Sequence, residues 1–431
     1  MTPDFPRRHV LVIAYYFPPM GLSGVQRTLK FVKYLPQFNW QPTVLTVEPR
    51  GYYATDNSLL ADLEGRDIRI ERTGAAGPGK YISKKPEVKL PKEWMRKVLS
   101  RISDTFFIPD NKIGWKRKAV AHGLRLAKEQ KFDMIFATAP PFTDFLIGRD
   151  LKRELNIPLV IDYRDPWVEY PFKFYPTPLH KYLNVRGERS ALRASSHVIT
   201  TNRRVKELIL RRHRFLTYND VEILSQGYDP EDFTRAVALP GSAHPKRAQA
   251  MRITYAGVFW EDRKPDHFLK ALAELFKDRP KLRGRIDAMF VGHFRDENMK
   301  LVNKLGLQDT VTSLGYLPHI ECTRELMASD VLWMIIGDDR GSPGKVYEYL
   351  GARKPILACA PEGFIKATVE EGGGKVVLPD DVAGIRKAIE DLYAQWERHE
   401  LKGPPEAVVQ KYSRVSLTGA LVKSFEALIE P

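Results

Sequence analysis

Residues 331–357 hold the feature that most narrows the fold: an apolar run, VLWMII, then GDDR, then GSPGKVYEYLGARKPIL. The run reads as a buried strand, and a second apolar stretch at 356–358 follows what must be a helix. Ser342 is a good helix N-cap, and Pro343 suits the first helical position, where its missing N–H costs nothing. Gly344 allows a ligand to approach the backbone closely. Lys345 and Glu348 then fall on one helical face. Free N–H groups, the positive end of the helix dipole and a lysine together suit a phosphate. Glu348, a turn further on, is placed to accept hydrogen bonds from a sugar hydroxyl such as a ribose. In isolation the same residues would suit a capped surface helix with an ion pair; the strand–loop–helix context favours ligand binding.

The strand-then-helix rhythm runs through most of the 431 residues, too many for one core and enough for two domains of roughly 200 residues each. A first strand at 10–16 runs into the loop FPPMGLSGVQRT, with Gly21 and Gly24 at the turn into a helix at 26–35. Such glycines suit an approaching phosphate or sugar, or merely relieve crowding. Strand DMIFAT, loop APPF and strand IPLVIDY follow, the last ending in RDPW. That places Asp162, Arg164 and Asp165 at a strand's carboxyl end, where α/β enzymes keep their ligands. Arg164 and Asp165 could also pair and pin the loop. Trp167 suits stacking on a sugar or a lipid boundary. Later, RITYAGVF leads into WEDRKPDHF, setting Arg263 and Lys264 at another strand-to-helix turn fit for a diphosphate. A hinge is expected near 230–250, from the content of ALPGSAHPKRAQA.

Several of these stretches resemble the family 4-type retaining glycosyltransferases, whose GT-B fold is α/β, with two facing Rossmann-like domains and an interdomain cleft. The resemblance rests on FPPMGLSGVQR, on TAPPF followed by PLVIDYRDPW, on QGYDPEDF and on GKVYEYLGARKPIL. It implies a first, acceptor-side domain at 1–235, a nucleotide-sugar-binding domain at 250–411, and a closing helix at 412–431 packed back on the first. Glu348 matches the glutamate that holds the donor's ribose. Gly24, Lys264, Tyr316, Ser342, Pro343 and Gly344 fall in donor-binding loops, Tyr316 in the GYLPH loop that faces the nucleobase. Arg27, Pro140, Arg164 and Trp167 lie on the acceptor side. Arg263, Lys345 and Asp165 are the implied catalytic residues, the two cations stabilising a leaving diphosphate. The implied reaction moves a sugar from a nucleotide-diphosphate sugar to a saccharide or lipid-linked acceptor, with retention at the anomeric carbon. It needs no cofactor and no metal, and belongs to cell-surface polysaccharide synthesis. Two positions depart from the pattern: Arg340 stands where the family has its first glutamate, and Val258 where an arginine often follows the glycine. A catalytically idle nucleotide-sugar-binding paralogue is the alternative.

Net charge is +15, and residues 80–131 carry 15 Lys/Arg against 5 Asp/Glu, an excess of 10. Half of that excess sits in an insertion at about 72–115 that breaks the α/β rhythm. Within it, KEWMRKVLSRISDTFF puts Trp94, Val98, Leu99, Ile102 and Phe106 on one helical side and Arg96, Lys97 and Arg101 on the other. The stripe fits a core helix or an anionic membrane surface. No nucleic-acid reader motif accompanies the charge, so nucleic acid is not an expected partner. Cys322 and Cys359 form no metal-type spacing, and no 18-residue apolar run exists. The expected setting is the cytoplasm, on the inner face of the cell membrane.

Overall fold

In a computed structural model, the structure describes residues 7–21, 23–49, 56–74, 93–170, 173–259, 263–337 and 344–429. The chain divides into two compact units, residues 1–225 with 417–431, and residues 226–416.

The first unit is built on a seven-stranded sheet. Its strands are β1 (Arg8–Ile13), β2 (Trp40–Val47), β3 (Arg69–Thr73), β4 (Met134–Ala139), β5 (Leu159–Tyr163), β6 (His197–Thr200) and β7 (Val221–Ile223). They run parallel in the order β3-β2-β1-β4-β5-β6-β7. The connecting helices are α1 (Gln26–Tyr34), α2 (Glu93–Phe106), α3 (Lys116–Glu129), α4 (Thr143–Leu155), α5 (Pro178–Ala194) and α6 (Arg203–Arg212). Strands covered on both faces read as continuous apolar runs, and alternate residues feed two cores. Val10, Val12, Phe136 and Val160 face one side; Leu11, Ile13, Ile135 and Ile161 face the other. β3 pairs with β2 at the edge, so the regular sheet extends into the start of the insertion expected at 72–115.

The second unit holds β8 (Met251–Ala256), β9 (Ile286–Val291), β10 (Val311–Gly315), β11 (Val331–Ile335), β12 (Ile356–Cys359) and β13 (Lys375–Val377). Their parallel order is β10-β9-β8-β11-β12-β13. Its helices are α7 (Pro230–Ala238), α8 (Asp266–Asp278), α9 (Asp296–Lys304), α10 (His319–Met327), α11 (Lys345–Gly351), α12 (Phe364–Glu371), α13 (Val382–Glu397) and α14 (Glu406–Lys411). Leu272, Leu275, Ile385 and Ile389 of α8 and α13 cover one sheet face, while Val346, Tyr347 and Leu350 of α11 cover the other.

The units part ahead of the hinge expected at 230–250, because residues 230–238 are α7 of the second unit. Asp229 caps it by accepting from the Glu231 N–H, Pro230 opens it, and Glu231 and Asp232 suit its positive end. The last helix, α15 (Arg414–Glu426), sends Leu421, Val422 and Phe425 into the first unit's core. Phe425 meets the Trp40 ring at 5.0 Å and that of Phe136 at 5.8 Å.

Candidate functional site

Three glycines end adjacent strands of the second unit: Gly257 after β8, Gly292 after β9 and Gly315 on β10, with φ of 134°, 118° and 68°. The Gly257 N–H donates to Val291 O and the Gly292 N–H to Gly315 O, each at 2.7 Å. A Cβ on Gly292 would lie 2.3 Å from Gly257 O, and one on Gly257 would lie 2.5 Å from Lys345 Nζ. Only glycine lets the strand ends and the lysine come this close.

Lys345 opens α11, which Tyr349 pins: its hydroxyl accepts from the Ala256 N–H at 2.9 Å and donates to Trp333 O at 3.2 Å. The Lys345 side chain folds inward, and its ammonium lies 3.9 Å from the centre of the Tyr255 ring. That ring stacks on Phe259 at 4.2 Å. Burial pushes Lys345 down to about 7; Glu348 opposes that shift and Arg263 adds to it. Although the residue as a whole is half-buried, its charged end is the part removed from water. Glu348 also acts, after burial, to raise the Cys322 thiol to about 12, which places α10 beside the same group. The Glu348 carboxylate makes no hydrogen bond among the described residues. Arg263 is half-buried, while Lys264, Gly344 and Tyr316 are exposed, Tyr316 by 82%. The fold thus gathers Arg263, Lys345 and Glu348 at the carboxyl ends of β8 and β11. Two cations with a nearby carboxylate suit an anionic ligand that also carries hydroxyls. Ser342, Pro343, Asp339 and Arg340 lie outside the described residues.

Three acceptor-side candidates in the first unit make buried structural contacts. Arg27 is a buried pin: Nε and Nη2 pair with Asp162 at 2.9 and 2.8 Å, Nη1 donates to Ser225 O, and Nη2 donates to Leu224 O. Arg164 neither salt-bridges Asp165 nor faces outward; its guanidinium donates to the carbonyls of Ala139, Gly24 and Pro140. Trp167 is 1% exposed, stacks on Phe142 at 4.9 Å and donates to Asn184 Oδ1 at 3.0 Å. In each case backbone carbonyls or core rings far along the chain consume the side chain. Pro140 is half-buried and Gly24 exposed, each with its carbonyl held by Arg164. Asp165 stays half-exposed, its carboxyl raised by burial against the opposing charge of Arg164.

A model of Glycosyltransferase Family 4 matches residues 23–232, and a model of Glycosyl transferases group 1 matches residues 250–395. The chain belongs to the family 4-type glycosyltransferases. The fold of this glycosyltransferase is shared by the Anabaena protein HepE in complex with UDP, at 15% identity and TM-score 0.62, covering 98% of this chain and 100% of HepE. The sucrose-phosphate synthase of Thermosynechococcus elongatus superposes at TM-score 0.62 and 17% identity, covering 98% and 99% of the two chains. A glycosyltransferase from Rickettsia africae gives 0.61 and 14%, covering 99% and 100%. No curated protein sequence matches the chain. These likenesses establish two Rossmann-like domains of the GT-B type.

The sequence reading of this glycosyltransferase missed Tyr255 and Asp144. Tyr255 reads as an ordinary strand residue, and only its place beneath Lys345 sets it apart. Asp144, in the first turn of α4, is buried and accepts from the Tyr15 N–H at 2.9 Å. Burial holds its carboxyl well above the usual range. Its sole signal was an acidic residue at a helix start.

Proposed function

We propose that the enzyme transfers a sugar from a nucleotide-diphosphate sugar to a saccharide or lipid-linked acceptor, with retention, in cell-surface polysaccharide synthesis. The observation that carries this reading is the Lys345 ammonium held on Tyr255 beside Arg263 and Glu348. The donor diphosphate would lie against Arg263 and Lys345, with a ribose hydroxyl donating to Glu348. The acceptor hydroxyl oxygen attacks the anomeric carbon as the carbon–oxygen bond to the diphosphate breaks. The bonding pair leaves on the diphosphate, which takes up the acceptor's proton on the same face. Arg263 and Lys345 stabilise the charge growing there, without needing to reorganise. With Arg164 consumed by carbonyls, Asp165 is the member of that pair left to accept from an acceptor hydroxyl.

Two similar structures support a nucleotide-sugar donor and a cell-surface product: HepE in complex with UDP-glucose, and the lipopolysaccharide outer core galactosyltransferase WaaB. Attachment to the inner face of an anionic membrane is supported by α2. Ile102 and Phe106 on its apolar stripe are 50% and 75% exposed, so that end of the stripe is not core. The test is turnover across a panel of nucleotide sugars with lipid-linked and free saccharide acceptors, with the product's anomeric configuration read by NMR. Transfer with inversion overturns the mechanism. Nucleotide binding without any turnover would mark the idle paralogue instead.

A further inference from the structure

The first unit carries an arginine cluster that the proposed transfer does not use. Arg189 and Arg193 are exposed on the last turns of α5, four residues apart on one face. Arg212 ends α6, and His213, Arg214 and Phe215 follow it. These six residues line an open depression of about 500 Å³. Local partners account for two of them. His213 is buried and bonded to Glu188 at 2.8 Å, and Arg212 is paired with Glu169. Glu188 and Glu169 are thereby used up. Arg189, Arg193 and Arg214 have no carboxylate partner among the described residues. Arg193 lies over the Phe215 ring at 5.1 Å, and the His213 ring meets Phe215 edge-on at 5.7 Å, so an aromatic floor sets the depth. Arg212 Nε is buried with no hydrogen-bond partner.

Folding gains nothing from this arrangement. Like charges four apart on a helix repel, and an unmet buried N–H is costly. What it offers is several planar forks converging on one compact space, the geometry that suits a tetrahedral, multiply charged oxyanion. A carboxylate would leave most of the donors unmet. We propose that the depression binds a phosphate-ester oxyanion, a phosphomonoester or pyrophosphate group, carried on a lipid headgroup or free in solution. A lipid is favoured by the rest of α5. Residues 179, 182, 186, 189 and 193 form one stripe at spacings of 3 and 4, and it begins with Leu179 and Tyr182, which are 60% and 58% exposed.

The test compares wild type with the triple variant Arg189→Ser, Arg193→Ser, Arg214→Ser, which spares the Arg212 and His213 pairings and should keep the wild-type Tm. Inorganic pyrophosphate is titrated calorimetrically into both proteins in the Arg263→Ala, Lys345→Ala background, which removes the proposed donor site. One saturable site is expected, weakened about tenfold or more in the triple variant. Flotation with phosphatidylcholine vesicles doped with phosphatidic acid, with both proteins also carrying Ile102→Ser and Phe106→Ser to weaken the α2 contact, separates the sources. Binding to these vesicles that is lost in the triple variant, and competed away by pyrophosphate, assigns the site to a headgroup. Pyrophosphate binding without flotation assigns it to a soluble phosphate. Equal pyrophosphate binding and equal flotation of the two proteins overturn the proposal, as does an absence of saturable binding to wild type.

Discussion

Lys345 titrates near neutrality because its ammonium is taken out of water onto an aromatic face, with one carboxylate too few to restore its usual value. A bound diphosphate would raise it again, so binding takes up a proton. From pH 7 to 9 the diphosphate of a nucleotide sugar, esterified at both ends, keeps its full charge while free Lys345 loses its proton. Affinity should therefore fall as pH rises through that window, by at most about tenfold per unit. The slope should vanish in Lys345→Ala; a nucleotide-sugar titration at four pH values checks this. At a fixed pH near 7, Lys345→Ala and Arg263→Ala should each lose roughly 1.5–3 kcal/mol of donor binding, about 10- to 100-fold, while staying folded. Glu348→Gln should weaken the bare nucleoside diphosphate, because the proposed contact is to ribose. A loss seen only with the full sugar nucleotide would assign Glu348 to the transferred sugar instead.

The strand ends of the second unit behave as one element. Gly292→Ala would drive a Cβ against the Gly257 carbonyl, and Gly257→Ala would strike the end of the flexible Lys345 side chain. Both positions have positive φ, which adds strain. Gly292→Ala should therefore lower Tm clearly, since backbone cannot yield. Gly257→Ala should lose donor affinity beyond its cost in Tm, whereas Gly344→Ala, with open space around its Cβ, should leave Tm unchanged. Paired melting and nucleotide-binding curves separate the three. The exposed end of α2 gives a different outcome. Ile102→Ser with Phe106→Ser should change stability by no more than about 0.5 kcal/mol, as exposed sites do, yet reduce flotation with anionic vesicles. High salt should also release the wild type, because the basic residues act through a screened field. Wild type that stays unbound at every salt concentration would show the charge to be merely solvated.

At the scale of the molecule, the chain's last turns are a structural part of its first half. Phe425 is fully buried against Trp40 and Phe136, so Phe425→Ala should cost about 3–5 kcal/mol. That loss should appear in chemical denaturation of the first unit, followed by the Trp40 and Trp115 environments. Removal of residues 417–431 should unfold that unit at lower denaturant still, while nucleotide binding by the second unit persists.

The sequence by itself determined two domains of alternating strands and helices and the strand-to-helix loops suited to ligands. Apolar periodicity, proline and glycine placement and caps act between near neighbours, so they are written locally. It also placed Arg263 in one such loop, and Lys345 and Glu348 in the first turn of the helix that follows another. Tertiary structure alone decided which charges remain available. Arg27 and Asp162 stand 135 positions apart, and Arg164 meets the Gly24 carbonyl across 140, so no local pattern shows that both arginines are consumed. The neutral-range Lys345 likewise depends on Tyr255, some ninety residues earlier, whose ring excludes water from the ammonium. Burial and pairing are sums over distant atoms, and the fold must exist before they do.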